Sequence, residues 1–242
     1  MPAIVEADDG QMYVMKFIGA GQGRKALIAE LVAGEIGRAL GLKVPEFVLI
    51  KLDPELGPSE PDPEIFDLLR ASVGLNFGMR FLPKAFAYNP PYEPPPRPDI
   101  ASAIVWFDAY VTNVDRTPRN VNILLWQNEL WLIDHGAALY FHHDWKPDYV
   151  GRSRTPFPLI KDHALLRFAS QIEQADTAAR ARLTPQLIDQ IVGDIPDVWL
   201  ESENLFASRD EQRHAYAKYL KSRLEAADAF VQEAQNARTR LI

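Results

Sequence analysis

The sequence predicts an α+β fold of two lobes, a small amino-terminal lobe rich in β-structure and a larger, mainly helical carboxy-terminal lobe. Three observations predict it. Residues 2–52 carry a strand, turn, strand, helix, strand pattern. Two proline-rich stretches, 54–63 and 90–98, then separate that unit from the rest. From Asp99 onward the apolar spacing is that of helices, interrupted by one hairpin. The expected division is therefore 1–52 for the small lobe, 53–98 for a connector with a hinge, and 99–242 for the large lobe.

The first two strands flank Asp8-Asp9-Gly10, an Asp-Gly turn of the hairpin type. In the second, residues 11–17, Met12, Val14 and Lys16 share one face while Tyr13, Met15 and Phe17 share the other. Glycines 19, 21 and 23 follow. Residues 24–40 predict a helix, because Leu27, Ile28, Leu31, Val32, Ile36 and Leu40 recur at helical spacing. Gly41 marks its stop and Pro45 lies just beyond. Residues 46–52, EFVLIKL, read as a strand. The middle section holds a helix-like EIFDLLRA and an extended GLNFGMRFL, whose Phe77 reads as a packing residue. Residues 99–112 predict a buried helix with Trp106 and Phe107 in the core. Residues 122–126 and 130–133 predict a hairpin around Gln127-Asn128-Glu129, and residues 210–238 predict one long final helix.

Composition narrows the function. The chain has 242 residues, 47% hydrophobic and 24% charged, the balance of an ordinary globular protein. It has no cysteine, which excludes disulfides, thiolate zinc sites and cysteine nucleophiles. The net charge of −7 argues against direct nucleic-acid binding through broad phosphate neutralisation. The amino terminus lacks the pattern of a secretory signal. The longest apolar run, 100–111, contains Asp108 and falls short of the roughly 18 residues a membrane span requires. A cytoplasmic protein without membrane attachment is expected.

The densest chemical signal is NVDRTPRNVNILL, residues 113–125, followed by Leu132-Ile133-Asp134-His135-Gly136. Asp115 and Asn120 stand five apart in a polar loop after the apolar helix. The hairpin then delivers Asp134 off the end of an apolar strand. Phosphoryl transfer needs a carboxylate to orient the attacking hydroxyl, oxygen ligands for magnesium and a cation on the phosphates. Asp115, Asn120 and Asp134 supply the oxygens.

Asp-x-x-x-x-Asn, a hairpin, then Asp-x-Gly resembles the order of motifs in protein-kinase-like folds. The form TNVDRTPRNVNILL is similar to that of HipA-like kinases and, more distantly, phosphoinositide kinases. YVMKF resembles the strand that carries the ATP-phosphate lysine, and AELVAGEIGRALGLKVPE resembles the HipA-like helix that supplies its glutamate. The resemblance covers residues 11–52 and 103–140. It implies a protein-kinase-like two-lobe fold and an ATP-dependent kinase that uses Mg2+. The implied acceptor is a hydroxyl, with a protein serine or threonine as first choice. Carried over by position, Asp115 is the catalytic base, Asn120 and Asp134 are the magnesium ligands, and Lys16 contacts the phosphates while paired with Glu30. Glu35 is the competing partner. Glu30 is preferred because Ala26, Ala33, Gly34 and Gly37 around it are small.

Two departures stand out. His135 occupies the place where protein kinases carry phenylalanine. The glycines follow Lys16 instead of preceding it, so Gly19, Gly21 and Gly23 either close over phosphates through backbone N–H groups or merely turn the strand into the helix. Some relatives are toxins that work beside a DNA-binding antitoxin, so an antitoxin-like protein partner is a candidate. Two other functions compete: a catalytically silent kinase fold that binds a nucleotide or a protein, and a metal phosphohydrolase using Asp115, Asp134, His135, His142 and His143. The second leaves Lys16 unexplained. His142 and His143 otherwise read as a surface loop.

Overall fold

The computed structural model describes residues 2–21, 23–56, 60–90, 94–200 and 205–241. Gln22 and parts of both proline-rich stretches, 57–59 and 91–93, lie outside the described residues. The amino-terminal hairpin pairs β1 (Pro2–Glu6) with β2 (Met12–Lys16), with Ile4 opposite Val14. Helix α1 (Gly23–Ala39) leads to β3 (Phe47–Leu52), then α2 (Pro63–Ala71) and β4 (Gly74–Arg80). The four strands form an antiparallel sheet in the order β1-β2-β4-β3. The extended GLNFGMR segment, read as part of a connector, is thus an inner strand, with Lys16 opposite Phe77 and Val48 opposite Gly78.

Period-2 alternation gives this sheet two apolar faces. Met15, Phe17 and Leu52 pack with Leu68 and Leu69 of α2. Val14, Phe47, Phe77 and Met79 join the main core on the α1 side, the side that also carries Lys16. Phe77 is buried against Phe47, ring centroids 5.1 Å apart. Helix α1 ends as its glycine predicts. The Gly41 N–H donates to Arg38 O and the Leu42 N–H to Gly37 O, a pairing that needs the left-handed φ of +82° at Gly41.

Gly34 is where α1 comes closest to the sheet, since a Cβ there would overlap the Phe47 ring. Gly34→Ala is therefore expected to lower the unfolding free energy by about 1–3 kcal/mol through overpacking. Urea unfolding measures this, and an unchanged midpoint would show that Phe47 has room to move.

A short strand β5 (Phe86–Ala87) precedes α3 (Pro98–Tyr110), the buried helix expected from the sequence, with Trp106 and Phe107 in the core. Strands β6 (Ile123–Trp126) and β7 (Glu129–Leu132) complete a three-stranded sheet, β5-β6-β7. Their turn is tighter than expected. Only Gln127 and Asn128 connect them, both at positive φ (52° and 62°), the two-residue turn whose twist suits a hairpin.

Helices α4 (Tyr149–Ser153), α5 (Ile172–Arg182), α6 (Pro185–Gly193), α7 (Arg209–Glu225) and α8 (Asp228–Thr239) build the rest. The single final helix expected at 210–238 is two. The chain bends at Ala226 and the fully buried Ala227, so that Tyr219 and Leu220 of α7 and Phe230 of α8 all reach the core. Arg180 of α5 holds the bend, bonding the Leu224 carbonyl at 3.4 Å and pairing with Asp228. Among the described residues no helix is long and apolar enough to cross a membrane.

Candidate active site

Lys16, Glu30 and Asp134 meet between the lobes. Strand β2 ends at Lys16, and its alternation points the ammonium toward α1. There it pairs with Glu30, and it also bonds Asp134 Oδ1 at 2.6 Å. Glu30 is 1% exposed, and its second oxygen accepts the His135 backbone N–H at 3.0 Å. Burial by itself raises the Glu30 carboxyl, but the Lys16 ammonium and the bonds from Lys16 and His135 outweigh it and hold the pKa down at about 2. Desolvation likewise works against the Lys16 ammonium, yet the two carboxylates raise its pKa above the ordinary lysine value. The ion pair is charged throughout the neutral range.

Glu35, the competing partner, is half-exposed and lies 3.9 Å from Arg38. The small residues near Glu30 serve other contacts than expected. Gly34 receives Phe47, and Gly37 faces Val44 and Phe107. Space beside Glu30 comes instead from Gly136, where a Cβ would lie 3.1 Å from Glu30 Oε1.

Asp134 follows the apolar strand β7 at the rim of the site. Its side chain is 47% exposed, it takes Lys16 as partner, and its backbone sits at φ +53°, a conformation that costs a non-glycine residue energy. His135 keeps the buried place of the phenylalanine it replaces but sets Nδ1 3.7 Å from Glu30 Oε2. The ring is fully buried edge-on to Phe107 at 5.8 Å.

Asp115 and Asn120 are brought together by a turn at Thr117-Pro118-Arg119-Asn120, with proline in its favoured second place. The Asn120 amide donates to Asp115 Oδ2 at 2.6 Å, and Asn122 reaches the same oxygen at 3.4 Å. The Asp115 N–H donates to Asn113 Oδ1 at 3.1 Å.

Beneath this loop lies a network that sequence reading missed. Asp108 of α3 is fully buried and accepts Arg116 Nε at 2.6 Å, Asn113 Nδ2 at 2.8 Å and His163 Nε2 at 2.8 Å. The Leu165 N–H donates to His163 Nδ1, so the proton of the neutral ring sits on Nε2, facing Asp108. Arg116 also bonds the Asn122 carbonyl and, at 3.4 Å, the Ile133 carbonyl. One buried guanidinium thus ties the Asp115 loop to the start of β6 and the end of β7. Against the desolvation that would raise it, Arg116 and His163 hold the Asp108 carboxyl at about 2. A lone carboxylate inside the apolar run 100–111 was the available signal, because such a group demands buried partners.

The glycines divide. A Cβ on Gly19 would lie 2.6 Å from Ala71 Cβ, and its N–H is taken by Ser72 Oγ at 3.1 Å. The Gly23 N–H is taken by Ala20 O at 2.8 Å. Open space surrounds Gly21. Of the 142–143 pair, His143 is exposed as expected, but His142 is fully buried with Nδ1 3.0 Å from the Tyr216 hydroxyl, and burial lowers its pKa well below the usual value. Among the described residues no group of three His, Cys, Asp or Glu side chains is placed to hold a metal ion.

A family model described as HipA-like kinase matches residues 1–232. The chain belongs to the HipA-like kinase family. It is therefore an ATP-dependent kinase by family, with a protein-kinase-like α+β fold. The fold of this HipA-like kinase is similar to that in the crystal structure of a Helicobacter pylori proinflammatory kinase, CtkA, with a TM-score of 0.58. That likeness covers 99% of this chain and 94% of the other at 16% identity. A comparison with curated proteins finds no match.

Proposed function

We propose that this HipA-like kinase transfers the γ-phosphoryl group of ATP, with Mg2+, to the hydroxyl of a protein serine or threonine, in a cytoplasmic setting that suits its lack of cysteine. The observation that carries the reading is one cation, Lys16, held between Glu30 and Asp134 beside the Asp115–Asn120 pair.

The donor set fits magnesium. Asn120 spends its amide nitrogen on Asp115, which leaves its carbonyl oxygen free to face a cation, and Asp134 offers a half-exposed carboxylate. Two hard oxygens are what magnesium commonly takes from a protein, the others coming from water and phosphate. When bound, the metal supplies charge neutralisation across the phosphate oxygens. Lys16, kept charged and oriented by Glu30, binds the phosphates, and its bond to Asp134 gives way. Gly21, with open space around it, would close over the phosphates, and Gly19 and Gly23 shape the turn around it. Asp115 orients the acceptor hydroxyl and takes its proton.

The thermal midpoint of wild type should rise only when ATP and magnesium are both present, and Asp134→Asn should lose that rise. A ligand at about 100 times its dissociation constant stabilises by roughly 2.7 kcal/mol, a readily visible shift. A wild type indifferent to Mg-ATP would sink the reading. Phosphoamino-acid analysis of protein labelled from γ-labelled ATP tests the acceptor, and label confined to small molecules would overturn the protein part.

A further inference from the structure

A cavity of about 810 Å³ lies behind the interlobe site, lined by none of Lys16, Glu30, Asp115, Asn120 or Asp134. Its walls come from both lobes: residues 10–12 at the β1–β2 turn, Arg38 and residues 41–46 between α1 and β3, residues 80–83 after β4, and Trp126 and Trp131 of the β6–β7 hairpin. We infer that this cavity is a second ligand site, for a small planar aromatic anion carrying a carboxylate, sulfonate or phosphate group.

Size, ring surface, an unused donor and three weakly paired cations all point there. The volume falls within the roughly 300–1,000 Å³ of small-molecule sites. Trp126 and Trp131 line it with their rings edge to face, centroids 5.1 Å apart, and offer aromatic surface to a flat ligand. The Trp126 indole N–H is occupied, donating to Pro83 O at 2.9 Å. The Trp131 indole N–H is buried without a hydrogen-bond partner. Buried donors are normally satisfied, and a small turn of the ring would bring this one to an acceptor atom on a ligand.

Arg38, Lys43 and Arg80 line the cavity against a single carboxylate, Glu46. Each cation also faces a carboxylate, Arg38 meeting Glu35 at 3.9 Å just outside the lining. The cations hold only loosely to their present partners. Lys43 pairs with Glu129 at 3.1 Å and Arg80 with Glu46 at 3.3 Å, all four side chains about half-exposed or more. Surface pairs of this kind contribute little, so an incoming anion can replace the carboxylates. Lys43 also stands 5.8 Å from the Trp131 ring centroid, which puts positive charge beside the aromatic wall.

The site reaches the active centre through backbone. The Leu132 N–H donates to Lys43 O at 2.8 Å, and two residues later the same strand delivers Asp134. A ligand gripping the 41–46 link and the hairpin together would fix how β7 presents that carboxylate.

The test is fluorescence titration with anilinonaphthalene sulfonate, an aromatic sulfonate, on folded wild type, Trp131→Phe, and the exposed double variant Lys43→Ala/Arg80→Ala. Saturable one-to-one binding is expected, and it persists in saturating Mg-ATP with at most a shifted affinity. Trp131→Phe, which keeps a ring but removes the donor, should weaken it about 2- to 10-fold. The double variant should weaken it about tenfold and flatten its salt dependence. Absence of saturable binding, displacement by Mg-ATP, or equal affinity in all three proteins would each overturn the inference.

Discussion

Asp115→Asn is expected to fold, to keep the thermal shift with Mg-ATP, and to turn over ATP about 10²- to 10⁴-fold more slowly than wild type. Folding survives because the substituted amide can turn its oxygen toward the Asn120 amide, which now donates to Asp115 at 2.6 Å. Nucleotide binding survives because Lys16, Glu30 and Asp134 form a separate cluster. What disappears is the carboxylate that accepts a proton, which an amide cannot do. ADP release measures the effect without knowledge of the acceptor. An unchanged rate would remove Asp115 from the chemistry, and a failure to fold would show that its role is structural.

Asp108→Ala should be the most destabilising single change near the site, lowering the unfolding free energy by about 3–5 kcal/mol. Truncation leaves the Arg116 guanidinium, 0% exposed, and the buried His163 ring without their acceptor. Asp144→Ala, which removes a pair whose side chains are 54% and 62% exposed, is the control and should change stability by less than about 1 kcal/mol. The same carboxyl makes stability depend on pH. Its folded pKa of about 2 lies below the unfolded value of 3.8, and Glu30 goes from 4.5 to about 2. Depressed carboxyls contribute fully above the unfolded values and lose that contribution as pH falls toward the folded ones. Wild type should therefore weaken steeply between pH 4.5 and 2, and Asp108→Ala less steeply. Urea midpoints across that range measure both slopes. Equal slopes would show that Asp108 is not an acid-sensitive element.

Much of this was legible in the chain because the signals are local. The alternation from Met12 to Phe17 put Lys16 on the α1 face, and the spacing around Leu27, Leu31 and Ile36 marked α1 with Glu30 inside it. Asp115, Asn120 and Asp134 were recognisable as a set from spacing and order. Other features were not local. Alternation in residues 74–80 marks a strand but carries nothing about its neighbours, so the placement of β4 between β2 and β3 had no local sign. The bend at Ala226 and Ala227 goes against good helix formers, because packing of Tyr219, Leu220 and Phe230 outweighs propensity.

The amino-acid sequence by itself carried the resemblance to the family, the two-lobe pattern and a set of candidate site residues, since motif order and apolar period are properties of neighbours along the chain. Tertiary structure alone decided that Asp134 stands half-exposed against Lys16, and that Asp108 is held by Arg116 and by His163, which lies 55 residues further along the chain. The physical reason is that a charge buried by folding must find its partner wherever the chain brings one, and period and spacing do not encode that meeting.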